Sequence, residues 1–550
     1  MRSISSAADV GPTEVLILIT SLSVLYQLVQ RLRRSVSTPL KGPPSTAGNF
    51  MLGVIPELAR APDAGAVHEE WAAQYGSVYS IPFVLGSRKI MFADPKALAH
   101  FFSRETYGYV ATSLGRRFTE RLIGRGLFWA EGDSHKRQRR ALNPAFTMAS
   151  IKSMSPIFFD SAYKAKAAWD ALVESGPSEG TIIEVQQWMN HVSLDTIGLA
   201  GFSHDFRTLS GKTSDVGTAF DSIGSKPSAF DRAIFLSSLI VPVLGRIPHG
   251  RRTNLARLRE TMQALGETFL ANRGDSGADK SVIGLLVKSA TTEKISQEEV
   301  VAQINVLLIA GYETTASESV IKHCLVEHES DEFPPPPQVS LTWALIELSR
   351  HQDIQTKLRD ELLKFGGDLT WEELTSHTTF LDAVTSEILR LHAPLAETSR
   401  IATEDDVIPL SKPLETAREA LVESVFVRKG TTVGVSFHSI NRSEAFWGPD
   451  AKIFNPGRWL DEGENELRAR EIQGYRHILT FSDGPRMCLG RVFALAEFKA
   501  VLSVLVRNFT FEFPGGPDTA IGQHVNILPR PKVEGESGYS VPLRVRQYVG

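Results

Sequence analysis

The chain has 550 residues and a mass of 60.5 kDa, which is ample for a large buried core. Hydrophobic residues make up 42% of the chain and charged residues 22%, which excludes a disordered or fibrous protein. The net charge of −4 leaves no basic excess for binding nucleic acid. Two cysteines, Cys324 and Cys488, are too few for a disulfide framework or a cysteine zinc site.

The N-terminal residues predict a membrane anchor followed by a hinge. Residues 15–29 are mainly apolar and a group of arginines follows them, an order that places the C-terminal side of a span in the cytosol. The alternatives are a cleaved signal peptide and a surface-lying helix, because a spanning helix needs ~20 apolar residues. A cluster of prolines then predicts a stiff connector. We therefore expect an anchor over residues 1–35, a proline-rich hinge over 36–58 and a globular body over 59–550.

In the body, the apolar residues recur with a helical period. Ser296 and Glu299 form a capping-box pattern, which opens a helix through the apolar residues 300–310. A helix that is apolar nearly all round belongs in the centre of a large protein. Further predicted elements are two amphipathic helices, at 343–363 and 381–391, and a hairpin of strands at 424–427 and 431–437. The sequence thus predicts a mainly α fold with a small β portion, as a single large domain.

Cys488 lies in the segment FSDGPRMCLG, residues 481–490, ahead of an amphipathic helix predicted over 492–509. A cysteine at a helix N-terminus sits among unpaired backbone N–H groups, and these stabilise a thiolate. The residues alone therefore predict a metal-ligating or nucleophilic cysteine, with an inert buried cysteine as the alternative.

The pattern Phe-x-x-Gly-x-Arg-x-Cys-x-Gly in this segment resembles the haem-binding loop of the cytochrome P450 family, the haem-thiolate monooxygenases. The resemblance implies that Cys488 is the axial thiolate on the iron of haem b. It also implies that Phe481 packs beside the sulfur and that Arg486 pairs with a haem propionate, while Gly490 completes the pattern. A thiolate ligand donates electron density to iron and favours cleavage of the O–O bond.

The central helix carries Ala310-Gly311-Tyr-Glu313-Thr314, which resembles the oxygen-binding segment of the family. The small residues Ala310 and Gly311 are expected to leave room for a diatomic ligand beside the haem. Glu313 and Thr314 are expected to be the catalytic pair that relays protons to it. The alternative is a polar pair that bonds back within the helix.

Glu387 and Arg390 place opposite charges three residues apart on one helix face, a pair that contributes little on an exposed surface. Here they resemble the buried Glu-x-x-Arg pair of the family, with Arg458 as the third partner. The resemblance implies a structural role, in which the three residues brace the loop that bears Cys488.

A basic run follows residue 132 and, taken alone, is typical of a solvated face or a nucleic-acid patch. His135 and Arg139 lie four residues apart on one helix face, where the family has a Trp or His and an Arg that hold a haem propionate. Arg400 matches another propionate arginine. The outward face is expected to form a basic surface for an acidic reductase, made of Lys136, Arg137 and Arg140.

Residues 318–340 depart from the pattern of the family, because they interrupt the central helix with Cys324 and four consecutive prolines. Joining Ser317 to Leu341 would restore an unbroken helical register. We expect a foreign insertion, such as a retained intervening sequence, with a genuine surface excursion as the alternative.

The resemblance covers nearly the whole chain and looks most like fungal members of the family. It implies a monooxygenase that inserts one atom of O2 into a lipophilic small molecule, in fungal secondary metabolism such as terpenoid biosynthesis. Because only ~60 residues follow Cys488, fewer than a flavin or NADPH domain needs, a separate NADPH-dependent flavoprotein reductase is expected to supply the electrons.

Substrate contacts are expected from apolar stretches with a few polar points, at residues 107–127, 307–310, 393–397 and 525–528. The anchor is expected in the endoplasmic reticulum membrane, with the catalytic body on the cytosolic side. The alternatives are a haem-thiolate isomerase or dehydratase, and an inactive haem-binding protein if the insertion is present and disruptive.

Overall fold

The computed structural model describes most of the body and leaves out the N-terminal 36 residues. The described residues are 37–44, 50–61, 63–214, 228, 230–231, 234, 247, 250–271, 281–290, 292–312, 339–460, 468–525, 529–536 and 540–550. The predicted anchor, Glu313, Thr314 and residues 318–338 of the predicted insertion therefore lie outside them. Within the described ranges, no helix combines the length and the hydropathy that crossing a bilayer requires.

Helices are the main secondary structure of the described body. In chain order they are α1 (Ile55–Arg60), α2 (Ala64–Tyr75), α3 (Pro95–Ser103), α4 (Ser113–Ile123), α5 (Gly132–Leu142), α6 (Met148–Glu174), α7 (Val185–Phe202), α8 (Gly250–Ala271), α9 (Val282–Ala290), α10 (Gln297–Tyr312), α11 (Val339–Arg350), α12 (Gln352–Leu363), α13 (Thr379–Leu391), α14 (Phe437–Asn441), α15 (Glu444–Trp447) and α16 (Arg491–Asn508).

The strands form small separate sheets. They are β1 (Val78–Pro82), β2 (Arg88–Phe92), β3 (Tyr109–Val110), β4 (Thr181–Glu184), β5 (Glu397–Ala402), β6 (Asp406–Glu415), β7 (Leu421–Val427), β8 (Thr432–Ser436), β9 (Phe509–Glu512), β10 (Ile521–Val525), β11 (Pro529–Val533) and β12 (Pro542–Gln547). The largest sheet has the order β1-β2-β8-β5-β3, a second has the order β4-β12-β9, and β6-β7 and β10-β11 are two-stranded. The prediction of a mainly α fold with a small β portion is confirmed.

The main core surrounds α16, the helix that follows the Cys488 segment. Every residue from 500 to 506 on α16 is buried. The ring of Phe493 on α16 meets Phe158 of α6 edge to face, with centroids 4.9 Å apart. A fully buried aromatic side chain of this kind contributes about 1.5–3 kcal/mol to stability. The cysteine loop is therefore attached to one of the most firmly packed helices of the body.

The capping box at the start of α10 is confirmed. The Glu299 N–H donates to Ser296 Oγ at 3.1 Å, and the Ser296 N–H donates to Glu299 Oε2 at 3.0 Å. Ile304 and Leu308 are completely buried, as expected of a central helix. A buried side-chain hydrogen bond of 2.7 Å from Gln303 to Gln138 ties α10 to α5. The capped helix is thus fixed against the helix that carries His135 and Arg139.

The predicted hairpin is wrong. Strand β7 pairs with β6, whereas β8 pairs with β2 in parallel and with β5 in antiparallel orientation. Both predicted segments are strands. However, β7 pairs with the strand before it, β6, and β8 pairs with β2 and β5. Their proximity along the chain therefore does not make them neighbours in a sheet.

Three other predicted boundaries differ from the structure. Residues 343–363 form two helices, because the backbone leaves the helical region at His351 (φ −114°, ψ 79°). The helix α11 starts at Val339, two residues inside the expected end of the insertion. The helix predicted at 381–391 is α13, which begins two residues earlier at Thr379.

The described part of the predicted hinge is bound to the body. The Ser80 N–H of β1 donates to the Lys41 carbonyl at 2.9 Å, and the Phe426 N–H of β7 donates to Thr38 Oγ1 at 2.9 Å. Leu40 lies in the core beneath them. Residues 38–41 therefore lie against sheet edges and do not form a free connector, and residues 55–58 of the predicted hinge belong to α1.

Candidate active site

The Cys488 loop is a tight irregular turn. The Cys488 N–H donates to the Phe481 carbonyl at 2.8 Å, and the Met487 N–H donates to the Gly484 carbonyl at 3.1 Å. Gly484 has φ +62°, a conformation that favours glycine, and a Cβ there would collide with the Phe102 carbonyl at the end of α3. The loop is therefore clamped between α3 and α16, with Cys488 three residues before α16 begins.

The thiol of Cys488 faces an internal space. Its side chain is solvent-accessible, yet burial within the fold raises its pKa. The Gly490 N–H donates to the sulfur, and Arg139 and Arg491 act on it electrostatically; all three lower the pKa and so favour the thiolate. Burial is the largest effect, so the pKa of the thiol stays above its ordinary value. Once a cationic metal ionises the thiol, the backbone N–H and the two cations would stabilise the resulting thiolate.

A cluster of basic side chains surrounds the same space. Burial is the main cause that lowers the pKa of His135, to about 3, and the charges of Arg486, Arg139 and Arg400 add to it. His135 is therefore a neutral imidazole at pH 7. The structure brings together the four residues that the sequence predicted for haem propionates.

Two carboxylates that the sequence analysis missed partner these arginines. Arg486 pairs with Glu131 and also donates to the Ala130 carbonyl at 2.8 Å. Arg400 Nε lies 2.9 Å from Glu105 Oε1, and the Glu105 side chain is completely buried. Burial raises the pKa of Glu105, whereas Arg400 and Arg486 lower it. Neither glutamate lies in a recognisable motif, so no local pattern could have identified them.

The cluster fits a ligand that carries two carboxylates. Three arginines face two protein carboxylates, which leaves a cationic excess at a buried site. Among the described residues, the buried Nε atom of Arg486 finds no hydrogen-bond partner. A buried donor left unpaired costs free energy, so this atom is poised for an acceptor from a ligand. Haem supplies two propionates for the arginines and an iron for Cys488, and the residues present fit it.

The predicted bracing residues form one buried constellation. Arg390 donates to both carboxylate oxygens of Glu387, at 2.7 and 2.8 Å. Arg458 Nε lies 3.5 Å from Glu387 Oε1 and pairs more closely with Asp450, at 2.7 Å. Trp459, which the sequence analysis did not single out, donates its indole N–H to Glu387 at 2.9 Å.

On α10, Ala310 and Gly311 face different surroundings. Ala310 is exposed although Leu308 and Ile309 beside it are buried, which fits a side chain that faces an internal space. Gly311 differs from the expectation that it leaves room for a diatomic ligand. A Cβ on Gly311 would lie 2.5 Å from Ile197 Cγ1 of α7, so in this structure its small size admits a neighbouring helix.

The basic surface of α5 is smaller than predicted. Lys136 and Arg140 are exposed, with Arg140 3.6 Å from Glu293. Arg137, in contrast, forms two hydrogen bonds to the Glu299 carboxylate and one to the Lys294 carbonyl. The prediction that Arg137 is available to a partner is wrong, because the capping glutamate of α10 already binds it.

The expected substrate stretches are only partly described, since residues 526–528 lie outside the described ranges. Residues 107–127 form β3 and α4, and residues 393–397 lead into β5. Near the first stretch, the guanidinium of Arg116 stacks on Trp129, 4.0 Å from the ring centroid. Among the described residues, the buried Nε of Arg116 and Nε1 of Trp129 have no hydrogen-bond partner.

A cysteine on an internal space, with arginines around it in a mainly helical body, is the arrangement expected of a haem-thiolate protein. The sequence model of the family described as cytochrome P450 matches residues 43–327 and 338–533. The chain belongs to the cytochrome P450 family.

Curated relatives point to the same class of enzyme. The chain is 52% identical to cytochrome P450 monooxygenase claP of the fungus Ampulloclitocybe clavipes, over 98% of this chain and 99% of the relative. It is 49% identical to cytochrome P450 monooxygenase claQ of the same fungus, over 98% and 99%. Cytochrome P450 monooxygenase 205 of Postia placenta is 31% identical over 93% and 94%. The chain is accordingly a monooxygenase, an oxidoreductase, and its family implies haem.

Proposed function

We propose that the chain inserts one atom of O2 into a lipophilic small molecule in fungal secondary metabolism, with a terpenoid as the substrate class. The observation that carries the oxygenase proposal is the Cys488 thiol, which faces an internal space, accepts a backbone N–H from Gly490 and feels the charges of Arg139 and Arg491. The lipophilic substrate is supported by the apolar side chains of α10 that lead to Ala310.

In this proposal Cys488 ligates the haem iron, and bound haem supplies the activation of O2. Arg139, Arg400 and Arg486 bind the propionates. His135 would donate a hydrogen bond to them from its ring N–H. The Gly490 N–H, which lowers the pKa of the thiol against the larger opposing effect of burial, would moderate electron donation from the sulfur.

Glu313 and Thr314 are proposed to deliver protons to the oxygen side of the site. This assignment rests on their position in the sequence, directly after Tyr312, the last described residue of α10. Replacing Glu313 with Gln and Thr314 with Ala should divert NADPH and O2 to hydrogen peroxide while the haem spectrum is retained. An isomerase or dehydratase would keep its turnover in these variants, since its reaction consumes neither NADPH nor O2.

Electrons are proposed to come from an NADPH-dependent flavoprotein reductase that binds at Lys136 and Arg140. Both side chains are exposed on α5, the helix that also carries Arg139 toward the thiol. Lys136→Glu with Arg140→Glu should raise the KM for the reductase severalfold at low salt, because opposite charges steer the encounter. Arg137→Gln should instead destabilise the contact with Glu299. Equal KM values for wild type and the double variant would contradict this docking site.

Residues 1–35 are proposed to anchor the body in the endoplasmic reticulum membrane. Finding the protein in alkali-washed microsomes would support the anchor, and recovery in the supernatant would contradict it.

Residues 318–340 are proposed to be a foreign insertion. The match to the family leaves out residues 328–337, which include the four prolines. Finding codons 318–340 in mature, translated message would contradict the insertion.

The proposed function is tested with the full chain coexpressed with a reductase. Reduced protein exposed to carbon monoxide should show the red-shifted Soret band of a thiolate-ligated haem, and Cys488→Ser should abolish that band. NADPH and O2 should then be consumed in step with oxygenated products from a panel of lipophilic substrates. A product formed without O2 consumption would overturn the monooxygenase proposal.

A further inference from the structure

Helix α7 contacts α10 at Gly311 through two side chains on one face. The hydroxyl of Ser193 donates to the Gly311 carbonyl at 2.5 Å. Ile197, one turn further along α7, occupies the space that a Cβ on Gly311 would need. Ser193 is completely buried and Ile197 is 4% exposed, so both contacts come from buried side chains of α7.

The steric contact leaves no room for any other residue at position 311. A Cβ there would lie 2.5 Å from Ile197 Cγ1 and 2.9 Å from its Cβ, distances that real carbon atoms do not show. Gly201, on the same helix α7, provides a contrast. A Cβ at that position would make an ordinary contact of 3.5 Å with Ile197 Cδ1.

The hydrogen bond from Ser193 is made to the backbone of α10, the helix that precedes Glu313 and Thr314 in the sequence. In an α-helix a carbonyl accepts from the N–H four residues later, and a side chain that enters this ladder bends the helix. Ser193 binds the carbonyl of Gly311 from outside α10, next to the residue whose side chain faces the internal space, Ala310. Ser193 therefore fastens this carbonyl to α7.

We propose that Ser193 and Ile197 are positioning residues that fix α10 at Gly311, and that position 311 is glycine in order to admit α7 and not dioxygen. The proposal rests on the proposed function, because only an oxygenase gives this end of α10 a role in the reaction. Ser193 acts by holding the Gly311 carbonyl, and Ile197 acts by setting the distance between the two helices.

The steric half is tested with Gly311→Ala alone and combined with Ile197→Ala. The probe is carbon monoxide on the reduced holoenzyme, whose C–O stretching band reports what lies beside the ligand. Gly311→Ala should shift the band, and adding Ile197→Ala should move it part of the way back toward wild type, because the double variant loses the Cγ1 contact and keeps the contact of 2.9 Å with the Cβ of residue 197. Gly201→Ala is the control and should leave the band in place. If Ile197→Ala does not reduce the shift, position 311 is small for the ligand and the proposal fails.

The hydrogen-bond half is tested by Ser193→Ala and Ser193→Thr. In Ser193→Ala, amide hydrogens in the last turn of α10 should exchange about fivefold faster, as expected from the loss of one buried hydrogen bond. Ser193→Thr keeps the hydroxyl and should restore slow exchange. Unchanged exchange in Ser193→Ala would overturn the role of Ser193, as would faster exchange in every helix to the same degree. If wild type itself lacks the thiolate–carbon monoxide spectrum, it is the proposed function that fails.

Discussion

Arg390 and Glu387 are joined by two hydrogen bonds, and neither side chain has any exposed surface. Arg390 also donates to the carbonyls of Asn441 and Ala451, and Glu387 accepts the indole N–H of Trp459. One ion pair therefore ties α13 to the chain that leads into the cysteine loop. The ion pair is compatible with a stable fold because both buried charges have hydrogen-bond partners. A buried charge without a partner is strongly destabilising.

Glu387→Gln should lower the free energy of unfolding by about 3–5 kcal/mol, because Arg390 then keeps its buried charge without a counterion. Urea denaturation and haem content per chain measure the effect. The control is Lys152→Ala, which removes a largely exposed ion pair with Glu372 and should cost at most about 0.5 kcal/mol. Similar losses in the two variants would contradict the bracing role of the buried pair.

Gly484→Ala should destabilise the cysteine loop by at least about 1–2 kcal/mol, because a side chain is unfavourable at φ +62° and would strike the Phe102 carbonyl. We expect lower haem occupancy and a lower midpoint in urea. Gly367→Ala is the matched control, since no described atom lies within 4 Å of a Cβ at that position. Equal urea midpoints for Gly484→Ala and Gly367→Ala would show that Phe102 of α3 does not constrain the cysteine loop.

His438 makes stability depend on acidity. Burial, followed by the charge of Arg442, lowers its pKa to about 3, and its ring pairs with the Ala393 carbonyl at 2.7 Å. In the unfolded chain its pKa is about 6.5. Between these values the unfolded state binds the proton and the folded state does not, so stability falls as the pH falls from about 6.5 toward 3.

His438→Gln should therefore flatten the pH dependence of the unfolding free energy below pH 6.5, by up to about 1.4 kcal/mol per pH unit. Urea denaturation at a series of pH values measures the slope. Above about pH 7.5 the slopes of the variant and the wild type should agree, because His is neutral there in both states. A variant that keeps the wild-type slope between pH 5 and 6 would show that His438 is not the group responsible.

Arg486→Gln should release haem about 10–100-fold faster, because charge-assisted hydrogen bonds of the kind expected with a propionate contribute about 1.5–3 kcal/mol each. Transfer of haem to an excess of apomyoglobin measures the rate. Arg544→Gln, which removes a partner of Glu512 in the β4-β12-β9 sheet, is the control. Equal rates in the two variants would remove Arg486 from the propionate site.

Much of the site follows from patterns within single segments. Ser296 and Glu299 interact across one helical turn, and so do Glu387 and Arg390, so the sequence spacing alone indicates that they meet. The loop around Cys488 is likewise built from neighbours in the chain, as in its hydrogen bond to Phe481. Geometry that is local in sequence can be predicted because the backbone of one element determines it.

The errors concern contacts between distant segments. Strand β8 pairs with β2, more than 300 residues earlier, and no property of the strand itself names that partner. Glu105 and Glu131 reach the propionate arginines from outside any motif. Arg137 has the composition of a solvated face but meets Glu299 of another helix. In each case the partner is chosen by tertiary packing, which residue type and periodicity do not record.

The segment from Thr38 to Pro43, which lies against β1 and β7, determines where the chain can be shortened. A version that begins at residue 37 keeps the acceptor for the Ser80 amide, the cover over Leu40 and the Lys41–Glu415 ion pair of 2.6 Å. A version that begins at residue 45 strips the outer edge of β1 and leaves it open to pairing with another molecule. We expect the first truncation to give well-behaved monomers and the second to give aggregates.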